Sequence, residues 1–280
     1  MFAPGLLSGR RALITGGGTG LGRAIARRYL QLGARIAICG RRLAVLEETA
    51  AALRAEIPGA DIAVYACDVR DPAAVEAMLD AVFAEGAPDI LVNNAAANFL
   101  AQTHRLSARA LDAVLATTLH GAAYCTMGVG RRWIEAGQPG VVLSILTLSA
   151  LQGAAFTVPS AMAKAGVLAM TQSLAVEWGR HGIRLVAIAP GTFPTEAAVA
   201  RLRPGGLDHG DVPLNRAGKH EELTNLAAYL VSKNAGYITG ECVVIDGGRR
   251  YLGGARAGVR EMLGWDDAAW EKQREKTPKK

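Results

Sequence analysis

The chain has 280 residues, of which 50% are hydrophobic and 20% are charged, so it is neither disordered nor too short to bury a core. Only 5% of the residues are aromatic, which indicates a core of packed aliphatic side chains. The net charge of +6 comes from scattered basic residues. The one dense group, at 272–280, is interrupted by an acid, so we predict a solvated tail and no nucleic-acid binding.

Neither a membrane span nor an export signal is predicted. No apolar run approaches the about 20 residues that cross a bilayer, and residues 1–9 lack a basic segment followed by a long apolar one. The cysteines are dispersed without a C-x-x-C pair, and the five His residues are scattered. We therefore expect buried thiols in a reducing cytoplasm and no metal site. The cysteines are Cys39, Cys67, Cys125 and Cys242.

Short apolar runs alternate with segments of helical periodicity along the chain, which predicts one doubly wound parallel α/β sheet of the Rossmann type. The predicted strands are 11–15, 35–39, 61–66, 90–93, 141–146, 184–189 and 242–245, and helices are predicted at 43–57 and 73–83. We expect a single domain over residues 1–250 and a tail over 251–280. The segment 196–219 is long for a connection and rich in Gly, Pro and Arg, so we predict a lid there.

The first chemical motif follows the first strand and reads T-G-G-G-T-G-L-G from Thr15 to Gly22. A Gly-rich turn lets the backbone approach a pyrophosphate, and the next helix offers unpaired N–H groups at its positive end. The spacing T-G-x-x-x-G-x-G resembles that of the short-chain dehydrogenases/reductases. The predicted cofactor contacts here are Gly16, Thr19, Gly20, Leu21 and Gly22.

The end of the second strand indicates which dinucleotide binds. An acid there would accept hydrogen bonds from the adenine ribose of NAD, but Arg41 and Arg42 follow Gly40 instead. Two guanidinium groups suit a 2′-phosphate, which favours NADP(H). The alternative is that both side chains are solvated residues of a helix-entry loop.

The resemblance to the short-chain dehydrogenases/reductases extends over residues 8–250. It implies that the motif after the third strand contacts adenine and that the motifs after the fourth and sixth strands contact the rest of the dinucleotide. The residues concerned are Asp68 and Val69, then Asn94, Ala95 and Ala96, and then Pro190, Gly191, Phe193 and Thr195. The sequence Asp246-Gly247-Gly248 closes the last strand as in the family.

The catalytic string departs from that family. Its reductases carry Y-x-x-x-K, which implies a Tyr that protonates the substrate oxygen and a Lys that lowers the Tyr pKa and holds the nicotinamide ribose. Here the string runs from Ser160 to Lys164, so the Lys is kept and the Tyr is replaced. An aliphatic hydroxyl is far less acidic than a phenol of pKa about 10, so Ser160 is a poor proton donor. The places of the family's catalytic Ser and Asn are taken by Thr147 and Thr118.

One branch of the family, the 2,4-dienoyl-CoA reductases, carries S-x-x-x-K, and the chain resembles it at further points. The similar strings are N-N-A-A-A-N-F at 93–99, V-P-S-A-M-A-K-A-G at 158–166, S-L-A-V-E-W-G at 173–179 and N-L-A-A-Y-L at 225–230. The resemblance implies an acyl-CoA substrate near Asn98 and Phe99. The Arg201, Arg203 and Arg216 side chains of the predicted lid suit the phosphates of CoA, although exposed loop arginines are common without function.

The chemistry of a conjugated thioester explains how the Tyr becomes dispensable. Hydride addition at the distal carbon gives a dienolate, whose oxygen needs hydrogen bonds more than an immediate proton. The resemblance implies that the related reductases use a Tyr or an acid here, at positions that hold Ser149 and Leu168 in this chain. The remaining hydroxyl candidates are Thr147, Ser149, Ser160 and, less favoured, Tyr124.

These candidates have simpler interpretations as well. Ser160 is equally explained as a hydroxyl at a helix start, and Thr147 and Ser149 as the end of the fifth strand. Asn98 and Phe99 fit a plain loop. A helical position predicts that Tyr124 and His120 are packed.

We interpret the sequence as a cytoplasmic NADPH-dependent oxidoreductase that transfers hydride to an α,β-unsaturated acyl-CoA. The alternatives are a carbonyl or alcohol oxidoreductase with an unusual proton donor, and a non-catalytic NADP-binding protein. The resemblance implies a homo-oligomer, a tetramer built on the helices near 107–136 and 160–179, although a dimer also fits.

Overall fold

The structure, a computed structural model, describes residues 5–195, 199, 212–252 and 259–275. It contains one sheet of seven parallel strands in the order β3-β2-β1-β4-β5-β6-β7. The strands are β1 (Arg11–Thr15), β2 (Arg35–Gly40), β3 (Ile62–Ala66), β4 (Ile90–Asn93), β5 (Gly140–Ile145), β6 (Ile183–Pro190) and β7 (Cys242–Ile245). The predicted doubly wound parallel sheet is confirmed, and each predicted strand is found.

Helices connect these strands. They are α1 (Gly20–Gln31), α2 (Leu43–Glu56), α3 (Pro72–Ala84), α4 (Ala108–Leu115), α5 (Gly121–Glu135), α6 (Ser149–Gln152), α7 (Val158–Trp178), α8 (His220–Val231), α9 (Arg249–Leu252), α10 (Val259–Met262) and α11 (Asp267–Glu275). A π-helical turn, Ala116–His120, joins α4 to α5. The start of α3 has the residue types that favour a helix N-terminus. The Asp71 carboxylate accepts hydrogen bonds from two backbone N–H groups, and Pro72 occupies the first turn.

The sheet buries both of its faces, because successive residues of a strand point to opposite sides. Ile14 of β1 and Val92 of β4 pack with α1, α2 and α8 on one face. Leu13 and Leu91 pack with α3, α5 and α7 on the other. This explains why the strands are apolar runs without a polar alternation.

The strand order reverses at the centre of the sheet. Ile14 of β1 is in register with Ile38 of β2 on one side and with Val92 of β4 on the other. The connections that follow β1 and β4 therefore leave in opposite directions and open a crevice at the carboxyl ends of the strands. In doubly wound sheets this crevice is where ligands bind.

The predicted lid and tail are only partly described. Of the lid, residues 196–198 and 200–211 lie outside the described residues, and so do Arg201 and Arg203. In the tail, the Trp265 and Trp270 rings contact each other edge to face with centroids 4.9 Å apart. No described helix is both long enough and apolar enough to cross a membrane.

The thiol prediction needs one correction. Cys39, Cys67 and Cys125 are buried, but Cys242 is only partly buried, because it begins the edge strand β7. All four thiols are free.

Candidate active site

The Gly-rich turn after β1 is shaped by contacts that leave no space for side chains. Gly16 has a φ of 65°, in the left-handed region that favours glycine. A Cβ at Gly22 would lie 2.4 Å from the Gly16 carbonyl oxygen and 2.5 Å from Asn94 Nδ2. The backbone of the turn is thereby held close to the start of α1. This shape fits the close approach of a pyrophosphate.

The start of α1 is open to an anion. Thr19 precedes the helix but its side chain forms no capping hydrogen bond, and the first turn holds no acidic residue. Thr19 and Gly20 are exposed, and Leu21 is partly exposed. Unpaired N–H groups at the positive end of a twelve-residue helix therefore face solvent here.

The Thr15 hydroxyl, which the sequence analysis did not single out, joins the two strands beside the crevice. It accepts hydrogen bonds from the backbone N–H groups of Asn94 and Ala95, both at 3.0 Å, and donates to the Val92 carbonyl at 3.3 Å. Asn94 Nδ2 in turn donates to the carbonyls of Thr15 (2.9 Å) and Gly16 (3.2 Å). The Asn94 amide is thus a support of the Gly-rich turn, and Ala96 beyond it is exposed.

Thr118 has a defined role in positioning the same segment. Its hydroxyl accepts a hydrogen bond from the Ala97 N–H at 3.0 Å and is buried within the π-helical turn. The residue that stands in the family's Asn position therefore ties the helix to the segment that follows β4.

The two arginines after β2 are exposed, and neither forms a salt bridge with a carboxylate that the structure describes. Asp68, after β3, is held instead by Arg70, whose Nε lies 2.9 Å from Asp68 Oδ1. This hydrogen bond holds the pKa of Asp68 below its usual range, and the charge of Arg41 adds to the effect. Arg41 therefore lies near the end of β3, while its guanidinium stays available for a phosphate.

The remaining predicted cofactor residues converge on this edge. Val69 is buried against Gly121, so only its backbone is available to a ligand. The Gly191 N–H donates to the Ile245 carbonyl at 2.8 Å, next to the buried Pro190. Phe193 is buried against Gly218, and the methyl carbon of Thr195 would lie 3.4 Å from a Cβ at Gly20.

Arg249 supports the segment after β6 and was missed in the sequence. Its Nη1 donates to the Thr192 hydroxyl at 3.1 Å. The Asp246 carboxylate accepts hydrogen bonds from the N–H groups of Gly248 and Arg250, both at 2.9 Å, and so shapes the turn that carries Arg249. Nothing in the local sequence pattern indicates this contact between two distant loops.

The predicted catalytic hydroxyls lie where β5 ends and α6 and α7 begin. The hydroxyls of Thr147 and Ser149 are 2.5 Å apart and hydrogen bonded to each other. Ser149 begins α6, so the interpretation of Ser149 as a strand end is wrong. Helix α6 packs against α7, which carries Ser160 in its first turn.

Ser160 and Lys164 share one face of α7 because they are four residues apart. Ser160 is 4% exposed, and its hydroxyl makes no hydrogen bond to the described residues, so it does not act as a helix cap. Lys164 is 5% exposed, and its ammonium donates to the Ile145 carbonyl at the end of β5. Burial lowers the pKa of Lys164 to about 8.

The other candidates are placed elsewhere or engaged locally. Tyr124 packs against the core formed with α3, α5 and α7, and its ring lies 6.0 Å from that of His120. His120 is exposed, because it closes the π-helical turn at the surface, so the prediction of a packed His is wrong. Asn98 Oδ1 accepts the Phe99 N–H at 2.9 Å, and both side chains are partly buried. The described residues contain no cluster of three metal-ligating side chains.

The buried Lys164 predicts a pH-dependent stability. Its pKa falls from 10.5 to about 8, so the unfolded chain binds more protons than the folded protein between these values, and stability rises with pH there. The unfavourable contribution is fully present below pH 8 and is lost by pH 10.5. Relative to Lys164→Met, the free energy of unfolding of the wild type should rise by about 3 kcal/mol across this window. Urea titrations of both proteins at several pH values measure it, and parallel pH curves would contradict a lowered pKa.

Comparison with known proteins agrees with this geometry. The profile of a family described as enoyl-(acyl carrier protein) reductase matches residues 16–250. An uncharacterised oxidoreductase of Caenorhabditis elegans is 46% identical over 96% of this chain and 88% of its own length. A Bacillus subtilis protein named as a 2,4-dienoyl-CoA reductase that produces (2E)-enoyl-CoA is 40% identical over 86% of this chain and 96% of its own length.

A solved structure gives the same result. A short-chain dehydrogenase from Bacillus anthracis, 39% identical, superposes with a TM-score of 0.77 over 86% of this chain and 96% of that one. The chain is therefore a member of the short-chain dehydrogenase/reductase family.

Proposed function

We propose that the protein is an NADPH-dependent reductase of 2,4-dienoyl-CoA thioesters. One observation carries the proposal. The face of α7 with the buried Lys164 ammonium presents the Ser160 hydroxyl and no phenol. This arrangement suits a reaction whose oxyanion is stabilised by hydrogen bonds. The relatives named as 2,4-dienoyl-CoA reductases support the choice of substrate.

NADP(H) is the proposed cofactor, and when bound it supplies the hydride. The open Gly-rich turn and the start of α1 fit its pyrophosphate. Arg41 and Arg42 are proposed to bind the 2′-phosphate, because both are exposed and neither forms a salt bridge to a described carboxylate. Lys164 is proposed to hold the nicotinamide ribose, and the segments around Asp68, Asn94 and 190–195 to line the rest of the site.

The residues after β5 are proposed to stabilise the substrate oxygen. In the Thr147 and Ser149 pair one hydroxyl donates to the other, which leaves one O–H free to donate to an oxyanion. The Ser160 hydroxyl has no partner among the described residues and supplies a second donor. Two such donors stabilise the oxygen of the dienolate that forms when hydride adds at the distal carbon.

Completing the reaction requires one proton on carbon. Hydride and proton together convert one carbon–carbon double bond of the dienoyl group to a single bond, so the thioester leaves as an enoyl-CoA. Ser160 is too weak an acid to protonate carbon. Water is therefore the proposed proton source, with the hydroxyls holding the dienolate until it is protonated.

Substrate contacts, assembly and compartment complete the proposal. The acyl-CoA is proposed to contact Asn98 and Phe99, and its phosphates to pair with Arg201 and Arg203, which lie outside the described residues. A homotetramer is proposed because α5 and α7 expose large apolar side chains, namely Met127, Met162 and Val176. The free thiols support a reducing compartment, for which we propose the cytoplasm.

Cofactor absorbance in the presence of candidate substrates tests this function. With NADPH and a 2,4-dienoyl-CoA we expect consumption of the cofactor and formation of an enoyl-CoA, which mass spectrometry identifies by its gain of two hydrogens. Ser160→Ala should lower kcat by about 10-fold or more, because it removes an oxyanion donor. The double variant Thr147→Val, Ser149→Ala should do the same, because it removes both hydroxyls of the pair.

The alternatives give different results in the same assay. Turnover of ketones or aldehydes, but not of dienoyl-CoA, would show a carbonyl oxidoreductase. Tight NADPH binding without turnover of any of these substrates would show a non-catalytic protein.

A further inference from the structure

The first residue of α8 reaches the segment that follows β6. The Nε2 atom of the His220 ring lies 2.7 Å from the Pro194 carbonyl oxygen. A carbonyl oxygen can only accept a hydrogen bond, so Nε2 carries the hydrogen and donates it. His220 is partly buried. None of the roles assigned above uses this ring, although it contacts a segment that is proposed to line the cofactor site.

The same segment has a second contact with the chain before α8. The Gly218 N–H donates to the Thr192 carbonyl at 2.9 Å. The two acceptors, Thr192 and Pro194, are two residues apart, and so are the two donor residues. This is the donor spacing of a parallel ladder. Because residue 220 already begins the helix, its ring supplies the second donor in place of its backbone.

Pro194 depends on this hydrogen bond more than another residue would. A proline has no N–H group, so its carbonyl is the one backbone group through which it can be held. Thr195 follows directly, and its methyl carbon would lie 3.4 Å from a Cβ at Gly20, at the open start of α1. A shift of Pro194 would therefore move Thr195 relative to the helix end that fits the pyrophosphate.

Helix α8 is itself fixed to α1. Arg28 Nε of α1 donates to Asn225 Oδ1 of α8 at 2.9 Å. The Tyr29 hydroxyl donates to the Ala227 carbonyl at 3.2 Å. The His220 ring is thus carried by a helix that is bonded to the helix of the Gly-rich turn, and it connects that frame to the segment after β6.

The turn before His220 is held by Glu222. Its carboxylate accepts hydrogen bonds from the Arg216 guanidinium at 2.9 and 2.7 Å and from the Lys219 N–H at 2.8 Å. These bonds lower the pKa of Glu222 to about 2, so the carboxylate stays ionised at neutral pH. A fixed turn therefore presents the ring to Pro194.

We propose that His220 is a positioning residue for the nicotinamide half of the cofactor and that it holds Thr195 in place through the Pro194 carbonyl. The inference rests on the proposed function, because that proposal places NADP(H) along the segment 190–195. A segment that is already fixed loses less conformational freedom when a ligand binds, so the hydrogen bond adds to affinity without touching the ligand. The adenosine half is assigned to residues after β2 and β3, which belong to other connections of the sheet.

Titration calorimetry of the full chain with two ligands tests the role of His220 without requiring turnover. NADP⁺ contains the whole dinucleotide, whereas adenosine 2′,5′-bisphosphate contains only the adenosine half. His220→Leu should weaken NADP⁺ binding by about 10-fold, because the segment loses its donor and must be ordered on binding. The affinity for adenosine 2′,5′-bisphosphate should stay unchanged, which also shows that the variant is folded.

Two further variants make the test specific. His220→Gln keeps an N–H donor of similar reach, so its NADP⁺ affinity should return to within about twofold of the wild type. His181→Leu is the matched control. His181 is partly buried and lies in the 3₁₀ turn before β6, at the other end of that strand from Pro194, where its ring accepts a hydrogen bond from Arg180. Its replacement should change neither affinity.

Three results would overturn the role of His220: equal weakening of both ligands by His220→Leu, no weakening of NADP⁺ binding, or a Gln variant as weak as the Leu variant. A wild type that binds neither ligand would overturn it together with the proposed cofactor. The proposed substrate fails separately. A selective loss of NADP⁺ affinity in a protein that consumes no NADPH with any dienoyl-CoA would keep the role of His220 and reject the reductase.

Discussion

Replacing Lys164 by Met is expected to lower kcat at saturating NADPH and substrate by at least about 100-fold. The Lys164 ammonium is buried on the face of α7 that carries Ser160, and it is held at the end of β5 by the Ile145 carbonyl. With a pKa of about 8 it is largely protonated at neutral pH and places a positive charge where the ribose and the developing oxyanion are proposed to lie. Met keeps the length and removes the charge. Steady-state kinetics measure the loss, and nicotinamide fluorescence gives the affinity for NADPH.

Lys233→Met is the control for this substitution. Lys233 is exposed on a single 3₁₀ turn after α8, so its loss should leave kcat within about twofold of the wild type. A Lys164→Met protein that folds, as shown by its circular dichroism, and retains wild-type turnover would remove Lys164 from the active site.

The fold was predictable because the strands are buried on both faces. An apolar run such as 90–93 stands out between polar turns, and the structure places β4 at the same residues. The helices on both faces of the sheet require this composition, so the signal is strong. The π-helical turn at Ala116–His120 has no comparable signal, because it differs from an α-helix by a single hydrogen-bond register.

The site was only partly predictable, because sequence gives the position of a residue along the chain but not its hydrogen-bond partner. The spacing of the glycines identified the Gly-rich turn, because Gly22 packs against the Gly16 carbonyl of the same motif and has no space for a side chain. The contact of Arg249 with Thr192 joins residues that are 57 positions apart, and no local pattern indicates it. The positive φ of Phe156 could not be predicted either, because Phe rarely adopts this backbone conformation.

Ser160 shows how structure separates two interpretations that sequence leaves equal. A helix-start Ser stabilises the helix by accepting a hydrogen bond from a backbone N–H group. Here Thr157 is the residue before α7, and no side-chain capping bond is present. The Ser160 residue is 4% exposed and its hydroxyl makes no hydrogen bond to the described residues, so the hydroxyl is available to a ligand. The helix-cap interpretation is therefore excluded, and a free hydroxyl supports the substrate role proposed for Ser160.

Removing the two arginines after β2 is expected to abolish the preference for NADPH over NADH. Each guanidinium that hydrogen bonds to the 2′-phosphate contributes about 1.5–3 kcal/mol, so Arg41→Ala and Arg42→Ala should each raise the KM for NADPH by about 10- to 100-fold. The KM for NADH should change little, because NADH has no 2′-phosphate. Kinetics with both cofactors at a fixed dienoyl-CoA concentration measure the ratio.

Salt and a matched variant make this prediction specific to a phosphate contact. Raising the ionic strength should weaken NADPH binding more in the wild type than in a double variant that carries both Arg41→Ala and Arg42→Ala, since screening acts on the charges that this variant lacks. Arg35→Ala is the control. The Arg35 side chain is 70% exposed, pairs with Asp61 and lies at the start of β2, whereas Arg41 follows the end of that strand. Its KM values should match the wild type. If Arg41→Ala and Arg42→Ala raise the KM for both cofactors equally, the arginines support the loop and the 2′-phosphate assignment is wrong.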